Sequence, residues 1–162
     1  MVEMFTHVDK NNRPSMVDVS DKAVTIRVAW ARTKMKLPQS VISAFNGIDI
    51  TTKKGPVFNT AIVAGTLAAK KTSDLIPFCH PLFLEDVKLE IKVLDCDFIQ
   101  IDAKVKTTGK TGVEMEALTA VQVAALTVYD MCKSAGHGME ILECYLVEKS
   151  GGKQNYHREG VV

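Results

Sequence analysis

Several marks of specialised proteins are missing from this chain. Only four cysteines occur among 162 residues, Cys79, Cys96, Cys132 and Cys144, scattered with no paired spacing. That excludes a disulfide framework and a zinc module built from ligand pairs. The formal net charge is only +1, so no global excess of either sign calls for nucleic acid or an anionic membrane surface as a partner. Long hydrophobic runs are absent too. The longest uncharged stretch of note, Ala117 to Tyr129, stops at 13 residues, short of the ~18 to 20 that a membrane span requires. Met1 to Lys10 contains acids and no apolar core of a signal peptide, so the expected compartment is a reducing cytoplasm. No internal repeat and no second apolar cluster is visible, and 46% hydrophobic with 24% charged residues suits one globular domain.

What is present is a readable succession of elements. Residues 1–21 are polar and rich in Asn, Asp and Ser, an extended or mobile arm without sustained period. From Ala23 to Met35, Val24, Ile26, Val28 and Trp30 alternate with Thr25, Arg27, Ala29 and Ala31, which predicts a strand burying the Val24 to Trp30 face. A short helix from Pro38 ends at Asn46-Gly47. After a loop carrying Lys53, Lys54 and Gly55, Phe58 to Lys71 reads as a helix whose Ala61, Ala64, Gly65, Ala68 and Ala69 permit close packing. Val87, Leu89, Ile91 and Val93, then Ile99, Ile101, Ala103 and Val105, alternate with polar residues around Asp95-Cys96-Asp97, predicting an antiparallel hairpin with one wet face. A long apolar helix follows, then a strand from Met139 to Glu148. The expected class is α+β: a ferredoxin-like, split βαβ, four-stranded antiparallel sheet with helices on one face and one extra helix. The domain is expected over residues 22–149, with a flexible tail over 150–162.

The segment Thr107 to Lys133 holds the chemistry of interest. Glu114 and Glu116 precede an uncharged helix, and Asp130 and Lys133 follow it. A helix apolar round most of its circumference is expected to be buried among other elements. The acids alone fit the helix dipole, and Asp130 with Lys133, three apart on one face, fits an ordinary surface pair. The sharper reading makes them a polar couple whose mutual pKa tuning allows proton transfer. Glu116 and Asp130 are 14 residues apart, about 21 Å along a helix. One helix does not bring both to one small ligand, so joint action predicts a site shared between subunits of a symmetric oligomer.

Gly109-Lys110-Thr111 ends like a P-loop, yet the position needing the first glycine is Lys104, inside an alternating strand. Two readings remain: a turn offering backbone N–H groups to an anion, and a plain capped turn. In Ile76-Pro-Phe-Cys-His-Pro81, His80 is constrained by flanking prolines and suits hydrogen bonding or phosphate contact, against a buried structural histidine. Adjacent Cys79 lacks a second ligand pair for zinc. His7, His137 and His157 lie in polar surroundings and are taken as incidental.

Taken together, MVDVS (Met16 to Ser20), KKGPVF (Lys53 to Phe58), DLIPFCHPL (Asp74 to Leu82), TGKTGVEMEALTA (Thr108 to Ala120), AALTVYDMCK (Ala124 to Lys133) and KSGGK (Lys149 to Lys153) resemble one family. It is the cyclic pyranopterin monophosphate synthase family, MoaC, of molybdenum cofactor biosynthesis. The resemblance implies a ferredoxin-like subunit in a homohexamer, a trimer of dimers with sites between subunits. It implies conversion of a cyclised dihydroguanosine triphosphate to cyclic pyranopterin monophosphate and pyrophosphate. Lys54, Asp130 and Lys133 fall on positions associated with catalysis, and Phe78, Cys79, His80, Met115 and Glu116 on those associated with substrate, with Glu114 a neighbouring acid. No tightly bound cofactor and no metal site are implied, Mg²⁺ entering with the triphosphate.

The chain departs from the family pattern in three places: no glycine precedes Met16-Val-Asp, Pro56 stands where an acid is common, and Phe78 stands for Leu. These bear on the arm and the loop. A rival reading is a non-catalytic ferredoxin-like module that binds a nucleotide or phosphorylated metabolite at the Thr107 to Gly112 turn and His80.

Overall fold

The computed structural model describes residues 11, 13–95 and 97–161. His7, Cys96 and the first ten residues of the expected arm lie outside the described residues. In chain order the elements are β1 (Thr25–Lys36), α1 (Gln39–Ile42), β2 (Thr51–Thr52), β3 (Gly55–Pro56), α2 (Val57–Lys70), α3 (Thr72–Leu75), β4 (Asp86–Val93), β5 (Phe98–Gly109), α4 (Glu114–Cys132), β6 (Glu140–Ser150) and β7 (Tyr156–His157). The fold is α+β. A five-stranded antiparallel sheet has the order β4-β5-β1-β6-β7, and β2 and β3 form a separate two-stranded ribbon.

The expected four strands are therefore five. The addition comes from the presumed tail: Tyr156 and His157 pair with Lys149 and Glu148 at the sheet edge. Two residues are too few for alternation to register, so this strand has no periodic signature.

The hairpin of β4 and β5 forms as its alternation predicts, with Val93 opposite Ile99 and Val87 opposite Val105. Its apolar face meets α4, which lies across β1, β5 and β6, while α2 packs along α4 and reaches β4. The core between them is built from Ile99, Ile101, Ala103 and Val105 of β5 with Ala117, Ala120, Val121, Ala124 and Val128 of α4. Small residues set the spacing. A Cβ on Gly65 of α2 would stand 2.7 Å from the Ala120 carbonyl oxygen and 2.5 Å from Leu89 Cδ2, so the glycine lets the two helices and β4 approach.

Two sequence expectations are corrected. In β1 the face that meets the helices is Ala29, Ala31, Thr33 and Met35, all buried, whereas Val24 and Ile26 are 60% and 57% exposed. Alternation shows that a strand has two faces but not which one a helix covers. Here the buried face carries two alanines, which leave room for α4. The bulky Trp30 sits on the opposite face, where its indole N–H donates to Asp102 Oδ1 at 2.7 Å and Lys104 Nζ stands 4.4 Å from its ring centroid. Arg32 Nε also donates to Asp102 Oδ1, at 2.8 Å, and Gln100 Nε2 to Oδ2 at 2.7 Å, so this buried carboxylate is well satisfied.

The second correction concerns α4. Within one chain it is not enclosed: Leu126 is 56% exposed, and Val63 and Leu67 of α2 also face outward. A single helical layer on a sheet covers only the inner faces of its helices.

Candidate functional site

The C-terminal end of α4 gathers three charged groups from two distant parts of the chain. Gly55, at φ +110°, takes the left-handed conformation that closes the β2–β3 ribbon. Lys54 projects from that turn and donates from Nζ to Asp130 Oδ2 at 2.7 Å and to the Asp130 carbonyl at 2.9 Å. The other carboxylate oxygen, Asp130 Oδ1, lies 2.7 Å from Lys133 Nζ. Asp130 is thus held between two ammonium groups. Hydrogen bonds from Lys133, then Lys54, with their charges, lower its pKa to about 2, and the bond to Asp130 raises that of Lys133. Asp130 is thereby held as a carboxylate and Lys133 as an ammonium. The arrangement anchors two cations at one point.

At the other end of α4, some 14 residues away, Glu116 is 4% exposed. Burial, opposed by a hydrogen bond from its own backbone amide and reinforced by Glu114, raises its pKa to about 7. Cys79 lies close enough that burial, then the Glu116 charge, pushes its thiol upward. His80 and Lys110 in turn act on Asp18, whose carboxylate is lowered first by hydrogen bonds from Ser20 and then by those two charges. The segment Ile76–Pro81 therefore lies within electrostatic reach of both the first turn of α4 and the end of the arm.

A raised carboxylate pKa means that the folded state favours the protonated form. This contribution to stability is complete below about pH 4.5 and is lost as pH rises through about 7, amounting to at most ~3 kcal/mol. Urea midpoints measured at pH 5 and pH 8 should differ less for Glu116→Gln than for the unaltered protein; equal differences would show that Glu116 ionises normally.

Beside this end lies a cleft of about 1080 Å³ lined by Arg27, Lys110, Lys149 and Lys153 together with Glu114 and Asp18. Lys149 Nζ is 2.9 Å from Glu114 Oε1, and Lys110 Nζ donates to the Ser20 carbonyl at 2.5 Å. The Gly-Lys-Thr turn therefore contributes a lysine to a basic cleft. A Cβ at Gly112 would displace the Glu114 carboxylate from its present position. The far wall is the Ser150–Gly152 turn. Gly151, at φ +83°, rests on the Ile26 carbonyl, which a Cβ would strike, and its own carbonyl accepts from Thr25 Oγ1 at 2.7 Å. Gly151→Ala is expected to destabilise the fold by roughly 1 to 3 kcal/mol, measurable as a lower urea midpoint. An unchanged midpoint would mean that the turn is not constrained as described.

The structure brings Lys54, Asp130 and Lys133 together, and separately Cys79, His80, Glu114 and Glu116. Phe78 and Met115 are partly exposed near the second group. It does not unite the two groups within one chain. Arg27 and Asp49 went unnoticed in the sequence. Arg27 is one of several charges in β1, with Arg32, Lys34 and Lys36, so no local pattern sets it apart. Asp49 is 5% exposed and hydrogen bonded to the start of α2, and no local pattern announces it. Among the described residues, no three His, Cys, Asp or Glu side chains converge to hold a metal ion, and no helix is long and apolar enough to cross a membrane.

Comparison with known proteins agrees with these motifs. The chain is 45% identical over 168 residues to molybdenum cofactor biosynthesis protein 1 of Dictyostelium discoideum, covering 93% of this chain and 27% of that protein. It is 49% identical over 154 residues to a molybdenum cofactor biosynthesis bifunctional protein of Synechocystis, covering 93% of this chain and 44% of that one. It thus spans less than half the length of those two relatives. A cyclic pyranopterin monophosphate synthase of Peptoclostridium acidaminophilum is 48% identical over 158 residues, covering 97% of this chain and 99% of that protein. The MoaC family model matches residues 16–152, and with a relative of such similarity along nearly its whole length, this chain belongs to the MoaC family.

Proposed function

We propose that this chain is a cyclic pyranopterin monophosphate synthase, a lyase that converts (8S)-3',8-cyclo-7,8-dihydroguanosine 5'-triphosphate to cyclic pyranopterin monophosphate and pyrophosphate in molybdenum cofactor biosynthesis. The observation that carries this reading is the Lys54–Asp130–Lys133 cluster, assembled from elements 76 positions apart on a chain of this family. An aspartate flanked by two lysines on a solvent-facing helix end has little structural value, and it presents two cations to an anionic ligand.

The division of labour follows from the charges. Arg27, Lys110 and Lys149 line the cleft and take the triphosphate, so that when a sugar hydroxyl attacks the α-phosphorus the departing pyrophosphate carries its charge away among cations. Opening the purine-derived ring and closing the pterin move protons near neutral pH. Glu116, with a pKa of about 7, is matched to that task, and the ammonium groups of Lys54 and Lys133 stabilise the negative charge that develops. No tightly bound cofactor enters this scheme, and Mg²⁺ arrives with the triphosphate.

The two groups act on one substrate when the C-terminal end of α4 in one subunit meets the N-terminal end in another. The outward apolar residues Val63, Leu67 and Leu126 supply a surface for that contact, and the homohexamer, a trimer of dimers, is the assembly we assign. The order of the four long strands, β4-β5-β1-β6, supports the ferredoxin-like plan, and the low cysteine count a cytoplasmic setting. Incubating the protein with authentic substrate should yield pyrophosphate and cyclic pyranopterin monophosphate. Binding with neither product formed would replace the enzyme by a nucleotide-binding module.

A further inference from the structure

The ribbon that carries Lys54 is small: Thr51 pairs with Pro56 and Thr52 with Gly55, and the Val57 amide donates to the Ile50 carbonyl at 2.8 Å. So short a ribbon does not hold itself in water. Lys54 nevertheless meets the carbonyl oxygen and Oδ2 of Asp130, and something must fix the base of its turn.

Asp49 is placed to do so. It is buried, and its Oδ1 accepts from the backbone amides of Ile50 at 2.6 Å and Phe58 at 2.7 Å. Its Oδ2 accepts from the Asn59 amide at 3.1 Å and from Asn59 Nδ2 at 2.9 Å. These donors stand on both sides of the ribbon: Ile50 enters it, while Phe58 and Asn59 are in the first turn of α2. Helix α2 follows Pro56, which has no capping side chain, so its free amides are satisfied from across the ribbon. The approach to Asp49 is itself set by Asn46, whose Oδ1 accepts from the amides of Ile48 and Asp49 at 3.0 and 2.9 Å. Because α2 packs along α4, a brace on the first turn of α2 is also a brace relative to the helix end bearing Asp130. Cys132 on that end lies within electrostatic reach of both Asp49 and Lys54.

We propose that Asp49 is a positioning residue, clamping the two ends of the β2–β3 ribbon to the start of α2 so that Lys54 is presented to Asp130. Its catalytic consequence rests on the reading of the Lys54–Asp130–Lys133 cluster as part of the active site. The competing role is helix capping alone.

Three variants separate the two: Asp49→Ala, Asp49→Asn, and the double change Asp49→Ala with Pro56→Asp, which returns a capping carboxylate to α2 without joining it to residue 49. Brief acetylation followed by mass spectrometry reads Lys54 against Lys53 on the same turn, beside kcat, KM and the melting temperature. In the unaltered protein Lys54, held in an ion pair, should be labelled more slowly than Lys53. In Asp49→Ala the two should be labelled equally and kcat should fall roughly 10- to 100-fold with a smaller change in KM. Asp49→Asn, which retains one acceptor and the fold, should lie between. The double variant should recover melting temperature but neither Lys54 protection nor kcat. Full recovery of all three, or unchanged labelling in Asp49→Ala, would overturn the proposal. If labelling responds as expected while the unaltered protein turns over no authentic substrate, the positioning of Lys54 by Asp49 stands and the active-site reading fails.

Discussion

Asp130→Asn should lower kcat by about 10²- to 10³-fold while leaving the fold intact. In the native arrangement each carboxylate oxygen holds one ammonium, Lys54 on Oδ2 and Lys133 on Oδ1, both at 2.7 Å. Asparagine keeps one acceptor and turns the other position into a donor, which repels whichever lysine it faces. One cation then leaves its place, and the negative charge developing on the substrate loses a preorganised partner. The fold has little reason to respond, because the ion pairs are exposed and such pairs contribute little to stability. Its melting temperature should therefore shift by no more than about 4 °C. Steady-state pyrophosphate release and a thermal melt test this together. Turnover within twofold of the unaltered protein would remove Asp130 from the active site, and a collapsed melt would show a structural role instead.

The second large effect is a gain. Glu116→Gln and Lys133→Ala should each be nearly inactive alone, yet an equal mixture exchanged between assemblies should recover roughly one quarter of the activity. Each half-site is intact in half of the subunits, and a working site needs both intact halves to meet. The argument comes from length: the 19-residue α4 is unbroken from Glu114 to Cys132, and 14 steps of 1.5 Å separate Glu116 from Asp130 by about 21 Å. Subunit exchange is followed by native mass spectrometry with one variant isotopically heavy. Verified exchange with no recovered product would mean that both ends do not serve one site.

The residues show how far the sequence could be read. The strands β4 and β5 were legible because each buries one face, and a period of two survives in the order of residues. Residues of β1 show the limit. Alternation located the strand, but the covered face belongs to Ala29 and Ala31, because helix approach selects small side chains where a sequence reading selects bulky ones. The half-sites divide in the same way. Asp130 and Lys133 are one helical turn apart and could be paired from spacing, whereas Lys54 joins them across 76 positions, and Asp49 braces the ribbon through bonds to backbone amides that carry no sequence signal.

By itself, then, the sequence determined the family, the identity of the charged residues and the separation of the two ends of α4, because motif order and helical rise are properties of the chain. Tertiary structure alone decided which distant charges meet and what the charges become. Asp130 is held as a carboxylate because two lysines converge on it, and the pKa of Glu116 rises to about 7 because burial removes the water that would stabilise its charge. Proximity and desolvation arise only when distant segments pack, and they set the chemistry of the site.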